Sequence, residues 1–132
     1  MAKKPKLTMV EWEIMEAVWA VGQPATVRDV LERAFPGGEK AYTTVQTIMN
    51  TLEKKKLLRR EKTGLVNFYT PAHSRDALVK AEMSSVVKQL FSGSIPALAN
   101  SLLSLDDVGL DEIRKLKALI KEKEKELEGK ES

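Results

Sequence analysis

Apolar residues recur every three or four positions along the first part of the chain, a spacing that predicts three helices. Val10, Ile14, Val18 and Val21 keep one stripe. Thr8 and Glu11 ahead of it read as a T-x-x-E capping box, Leu7 and Trp12 can staple around it, and Gly22 is placed to end the helix. A second helix starts after Pro24, with Thr26 as N-cap and Asp29 three residues on. Val27, Val30, Leu31, Ala34 and Phe35 line one of its faces, and Pro36-Gly37-Gly38 stops it. The third lies within AYTTVQTIMNTLEKKKLLRR, residues 41–60, where Val45, Ile48, Met49 and Leu52 fall at i, i+3, i+4 and i+7.

The period then changes to two. Leu58 to Lys62 and Leu65 to Thr70 flank Thr63-Gly64, and Val66, Phe68 and Thr70 alternate with Asn67 and Tyr69 up to Pro71. This predicts a small hairpin. Three helices and a hairpin in this order are expected of a winged helix-turn-helix, and a short first strand would leave no trace in the sequence. The rest reads as helical. Ser74 can cap a long helix carrying Leu78, Val79, Met83, Val86, Val87, Leu90 and Phe91, and Ser92-Gly93-Ser94 breaks it. Ile95 to Leu105 is short and mostly apolar, with Pro96 tolerable in the first turn. A last helix from about Leu110 to Glu128 carries Ile113, Leu116, Leu119, Ile120 and Leu127 and ends in a charged tail expected to fray.

The expected fold is therefore mainly α with a small β-hairpin wing. Residues 1–73 form a winged helix-turn-helix DNA-binding domain, and residues 74–132 form an all-α dimerisation domain. Three helices with so many aliphatics bury them poorly alone. The winged domain could cover them, but an identical chain is the favoured partner, giving a two-fold dimer. Val87, Leu90, Phe91, Ile113, Leu116 and Ile120 are the residues expected at that interface.

The wet face of the third helix is unusual. It carries Thr43, Thr44, Gln46, Thr47, Asn50 and Thr51, where a solvated face normally carries Glu, Lys and Gln. Thr and Asn each cost about 0.5 kcal/mol of helix propensity relative to Ala. Capping or flanking the helix explains Thr43 and Thr44, but not residues two turns in. A helix laid in the major groove needs this composition: donors and acceptors for base edges, short groups for close approach, and few carboxylates. Gln46 and Asn50 can read the N6/N7 edge of adenine. Thr47 and Thr51 can bond either sense of group or touch the thymine methyl. Thr43 and Thr44 near the helix start suit phosphates, as do Lys54, Arg59, Arg60 and Lys62.

Charge agrees. The 132 residues carry a net +3, but residues 1–73 hold 12 Lys/Arg against 8 Asp/Glu, a balance of +4, and residues 74–132 hold 10 against 11, a balance of −1. Residues 39–62 alone hold 7 basic and 3 acidic groups. An ordinary solvated surface fits the same numbers; a polyanion partner fits them together with the odd helix face.

Enzyme chemistry finds no support. There is no cysteine, so disulfides and thiolate metal sites are excluded, and His73 is the only histidine. Nucleotide-binding glycine loops and the G-x-S-x-G nucleophile motif are missing. Asp106 and Asp107 read as loop and helix-start residues, and no cofactor is expected. The N-terminal MAKKPK is basic, but AVWAV is far too short for a signal core or membrane span. The chain reads as cytoplasmic, with no membrane insertion.

LTMVEWEIMEAVWAVG, YTTVQTIMNTLEKKKLL and TGLVNFYTP resemble, in order and spacing, the penicillinase-repressor family of the BlaI/MecI/CopY type. The resemblance implies a homodimeric winged-helix repressor of a palindromic operator in double-stranded DNA, controlling β-lactam-resistance or related genes. In the β-lactam branch it also implies a membrane sensor metalloprotease that cuts the C-terminal region. Departures are visible. Lys56 stands where many members have glycine, Gln46 and Thr51 where some carry arginine, and Leu65 where a basic residue is frequent. The cleaved Asn-Phe has its nearest counterpart in Asn100-Ser101, and the cysteines of the copper branch are missing. Two alternatives remain: a regulator of the same fold controlled by a small ligand, and a winged-helix module that binds protein.

Overall fold

The computed structural model describes residues 7–22 and 24–131. The basic start of the chain, residues 1–6, lies outside the described residues, as do Gln23 and Ser132. The first two helices are α1 (Met9–Val21) and α2 (Val27–Ala34), and both open on reciprocal caps. The Glu11 N–H donates to Thr8 Oγ1 at 3.1 Å while the Thr8 N–H donates to Glu11 Oε1 at 2.8 Å. Thr26 and Asp29 repeat the exchange at 3.1 and 3.0 Å. Each box satisfies two backbone donors that a helix start leaves open. Gly22 ends α1 in the left-handed region, at φ 74°.

Helix α3 (Tyr42–Lys54) ends differently. The Lys56 N–H donates to the Glu53 carbonyl at 2.9 Å and the Leu57 N–H to the Leu52 carbonyl at 3.0 Å. This is a Schellman closure, and its accompanying apolar residues, Leu52 and Leu57, are both buried. The closure places Lys56 at φ 65°.

The wing is a two-stranded antiparallel hairpin of β1 (Leu58–Thr63) and β2 (Val66–Pro71), paired from Leu58↔Pro71 to Thr63↔Val66. Gly64 takes φ 64° at the first of two loop positions, as a type II′ turn requires. Residues opposite each other in the ladder share a face, so Leu58, Arg60 and Lys62 lie with Pro71, Tyr69 and Asn67. That face turns inward: Leu58 and Tyr69 are buried. The first strand survives as a single bridge, in which Ala25 and Tyr69 exchange both backbone hydrogen bonds at 2.8 Å.

One core joins these elements. Ile14, Met15 and Val18 of α1 meet Val30 of α2, Val45, Met49 and Leu52 of α3, and the two wing residues. Leu78 of α4 (Arg75–Phe91) belongs to the same core. The Trp19 indole N–H donates to the His73 carbonyl at 3.0 Å, and Arg75 Nε lies 2.7 Å from Glu16 Oε1, so the start of α4 is fastened to α1.

The chain divides into two compact units between Ala81 and Glu82, inside α4. The second unit holds the rest of α4, α5 (Ile95–Leu103) and α6 (Leu110–Glu131). Ser94 caps α5 through the Ala97 N–H at 3.1 Å, with Pro96 in the first turn as the sequence leads one to expect. The charged tail is helical to Glu131, further than expected, with Glu126 between Lys123 and Lys130 at 3.5 and 3.9 Å. No described helix is long and apolar enough to cross a membrane.

Candidate nucleic-acid interface

Val45, Met49 and Leu52 seat α3 on the core, which fixes what its other side presents. Thr43, Thr47, Asn50 and Lys54 follow at four, three and four residues and form the opposite line, with Gln46 and Thr51 flanking it. Thr43, Thr47 and Lys54 are exposed; Gln46, Asn50 and Thr51 are half-buried.

The explanation of the threonines by capping is reversed. The N-cap is Ala41, which makes no side-chain cap, and Thr43 and Thr44 lie inside the first turn. The inner residues are the ones with local partners. Thr47 Oγ1 donates to the Thr43 carbonyl at 2.9 Å, and Thr51 Oγ1 to the Thr47 carbonyl at 3.0 Å. Such back-bonds compete with the helix's own ladder for the carbonyls and do not repay the propensity cost of threonine. They also use the hydroxyl hydrogens, so Thr47 and Thr51 can still offer a methyl group and an acceptor lone pair.

Asn50 has a partner the sequence did not suggest. Tyr69, fully buried on β2, donates its hydroxyl to Asn50 Oδ1 at 2.8 Å. Burial pushes the Tyr69 hydroxyl pKa up, while the charge and hydrogen bond of Arg60, directly across the ladder, pull against that rise. Arg60 Nε in turn lies 3.9 Å from Glu53 Oε1 on α3. Asn50, Tyr69, Arg60 and Glu53 thus tie the outward face of α3 to the wing. A buried tyrosine oxygen must find a partner, but the alternation sets Tyr69 on the same face as the polar Asn67 and opposite Val66 and Phe68, so it gave no sign that Tyr69 turns inward.

The basic residues expected to grip phosphate fall into separate groups. Lys54, Arg59 and Lys62 are exposed and form no ion pair among the described residues. Arg59 stands on the outer hairpin face beside Thr70, and Lys62 on the inner face beside Asn67. Arg60 is partly committed to Glu53 and Tyr69. Lys55 points elsewhere: its Nζ lies 2.7 and 2.9 Å from the two oxygens of the buried Glu11. Burial raises the Glu11 pKa, but the hydrogen bond and charge of Lys55 and the Thr8 N–H outweigh it, leaving the carboxyl below 4.5. At the other end of α3, Arg28 of α2 lies over the Tyr42 ring at 5.5 Å.

In the second unit, Leu90, Leu116 and Ile120 are exposed, while Val87, Phe91 and Ile113 are half-buried. None of the described residues of α5 or α6 is buried. Asn100 and Ser101 are exposed, but both lie within α5.

The sequence pattern of the penicillinase repressors matches residues 7–122. The transcriptional regulator BlaI of Mycobacterium tuberculosis is 34% identical over 125 residues, covering 94% of this chain and 89% of the relative. The penicillinase repressor of Bacillus licheniformis is 25% identical over 122 residues, covering 92% and 94%. Among solved structures, the monomeric form of Bacillus licheniformis BlaI in complex with the blaP half-operator aligns with a TM-score of 0.47 at 28% identity, over 58% of this chain and 92% of that one. The match over residues 7–122, together with the 34% identity to the mycobacterial regulator over nearly the whole length, places the chain in the penicillinase repressor family.

Proposed function

We propose that the chain is a dimeric transcriptional repressor that occludes a palindromic operator, of a β-lactam-resistance or related operon, rather than an enzyme. The observation that carries this is the outward line of α3, free of carboxylates from Thr43 to Thr51 and followed by the exposed cations Lys54, Arg59 and Lys62. In this reading α3 enters the major groove. Gln46, Thr47, Asn50 and Thr51 meet base edges, and Thr43, Thr44, Lys54, Arg59, Arg60 and Lys62 meet phosphates. Residues 1–73 act as the DNA-binding part and 74–132 as the dimerisation part.

The dimer is supported by the unburied faces of α5 and α6. Burying one aliphatic side chain contributes about 1.5–3 kcal/mol. Association costs roughly 4–15 kcal/mol, so several must be covered together, and Val87, Leu90, Phe91, Ile113, Leu116 and Ile120 supply enough. Release follows from losing the dimer, because one half-site alone forfeits the gain of linked binding. Among relatives of the β-lactam branch, a membrane sensor metalloprotease is the partner implied for that step. Here it would act at Asn100-Ser101 and would first have to open α5.

The test is titration of the full chain against a duplex enriched from random sequence, beside an unselected duplex, across a salt series. Affinity for both should fall linearly in log salt, with the enriched duplex bound about 10³-fold or more tightly. Equal affinity for the two duplexes, or salt-independent binding, rejects the repressor reading in favour of a protein-binding module.

A further inference from the structure

We propose that Tyr69 is a positioning residue for sequence readout: it holds the carboxamide of Asn50 so that α3 offers the groove an N–H donor in place of a donor–acceptor pair. The inference rests on α3 being the reading helix and says which chemistry that helix reads.

The geometry sets the orientation. Arg60 sits opposite Tyr69 in the ladder, its charge and hydrogen-bonding act on the Tyr69 hydroxyl, and a guanidinium only donates. The lone pairs of the Tyr69 oxygen are therefore served from the Arg60 side, and its single hydrogen must go to an acceptor. The acceptor is Asn50 Oδ1, at 2.8 Å. Turning the amide over would set its NH2 against an oxygen already facing a cation and leave the tyrosine hydrogen without an acceptor. The anchor itself does not yield: Tyr69 is fully buried and its backbone is bonded in both senses to Ala25. Glu53, one turn after Asn50, faces Arg60 and closes the ring of side chains back onto α3.

An asparagine that reads adenine uses both ends, its oxygen accepting from N6 and its nitrogen donating to N7. With Oδ1 drawn toward Tyr69, the end left for the groove is the NH2, which has no other partner among the described residues. Adenine then presents it with an N6 donor beside N7, a mismatch. Guanine presents two acceptors, N7 and O6. The position under Asn50 should therefore favour guanine and reject adenine.

The experiment is selection from a random duplex library with the full chain as wild type, Tyr69→Phe and Asn50→Asp. In the wild type, one position of each half-site should favour guanine over adenine by about tenfold. Tyr69→Phe removes only the hydroxyl, frees Oδ1, and should bring adenine to parity at that position while leaving the others unchanged. A purely structural role for the hydroxyl would lower affinity without moving any preference. Asn50→Asp keeps an acceptor for Tyr69 but turns an oxygen outward, and should move the same position to cytosine, whose N4 donates. It alters a half-buried side chain and shows whether residue 50 reads that position; should Tyr69→Phe unfold, a wild type that favours adenine there overturns the inference by itself. Identical preferences for wild type and a folded Tyr69→Phe, or guanine retained by Asn50→Asp, overturn the inference and leave the repressor reading standing. No enriched duplex for the wild type overturns both.

Discussion

Lys55 Nζ lies 2.7 Å from Glu11 Oε2, and the other oxygen of that carboxylate accepts the Thr8 N–H at 2.8 Å. One buried side chain thus caps α1 and fastens the end of α3 to it. Glu11→Gln keeps an acceptor for Thr8 but removes the charge facing Lys55. It should destabilise the chain by about 2 kcal/mol at neutral pH, below the roughly 3–5 kcal/mol typical of a broken buried pair because Lys55 is partly exposed. The folded carboxyl titrates below its ordinary 4.5, so its contribution is complete above that value and is lost as pH falls through the lower folded value. Urea unfolding of both proteins along a pH series should therefore show their difference narrowing below about pH 4.5. A constant difference down to strong acid would rule out the ionised pair as its source.

Lys56 occupies the left-handed position that closes α3, at φ 65°. A side chain there costs about 1–2 kcal/mol, while glycine forfeits roughly 0.5–1 kcal/mol of unfolded-state entropy. Lys56→Gly should accordingly stabilise by about 0.5–1 kcal/mol, and Lys56→Ala, which keeps the Cβ, should change little. Thermal unfolding of the two variants separates backbone strain from loss of the lysine charge: equal stability for both would remove strain as the cause.

The same residue marks how far the sequence could be read. Lys56, the last of the basic run, was visible as a departure only against the family resemblance, in which many members have glycine there, and its positive φ gives the reason for that glycine. Both capping boxes, the apolar stripes of α1 to α3 and the hairpin were legible from the chain itself, because each is encoded within a few neighbouring residues. Contacts between elements were not. Nothing near Asn50 in the chain points to Tyr69, nineteen positions away. Nothing near Lys55 points to Glu11, forty-four positions away. Lysines in one run therefore looked alike until the fold separated Lys55, committed to the interior, from the exposed Lys54. The Ala25 bridge was invisible because a one-residue strand carries no period.

Ile120 and Leu116 lie on the apolar line of α6, 66% and 43% exposed. Ile120→Glu should shift the chain from dimer to monomer at micromolar concentration in sedimentation equilibrium, since a carboxylate cannot be buried unpaired. The tryptophan emission of α1 should not change, because Trp12 and Trp19, 6.0 Å apart, belong to the first unit. Affinity for a two-half-site duplex should fall by about 10²–10⁴, the gain of linked binding, while affinity for a single half-site should hold. Wild type sedimenting as a monomer at that concentration would dispose of the dimer.

Lys62 and Arg60 share the inner hairpin face yet have different surroundings, and their removal should read differently. Lys62 is exposed with no ion pair among the described residues, so Lys62→Ala loses one phosphate contact at most. It should weaken enriched and random duplexes alike and lower the log–log salt slope by about 1. Arg60 faces Glu53 and the Tyr69 hydroxyl as well as solvent. Arg60→Ala removes a cation and also the donor that orients the hydroxyl toward Asn50. The enriched duplex should then lose about tenfold more affinity than the random one, beyond the change in slope. Parallel losses for both variants on both duplexes, measured by fluorescence anisotropy at several salt concentrations, would assign Arg60 to phosphate alone.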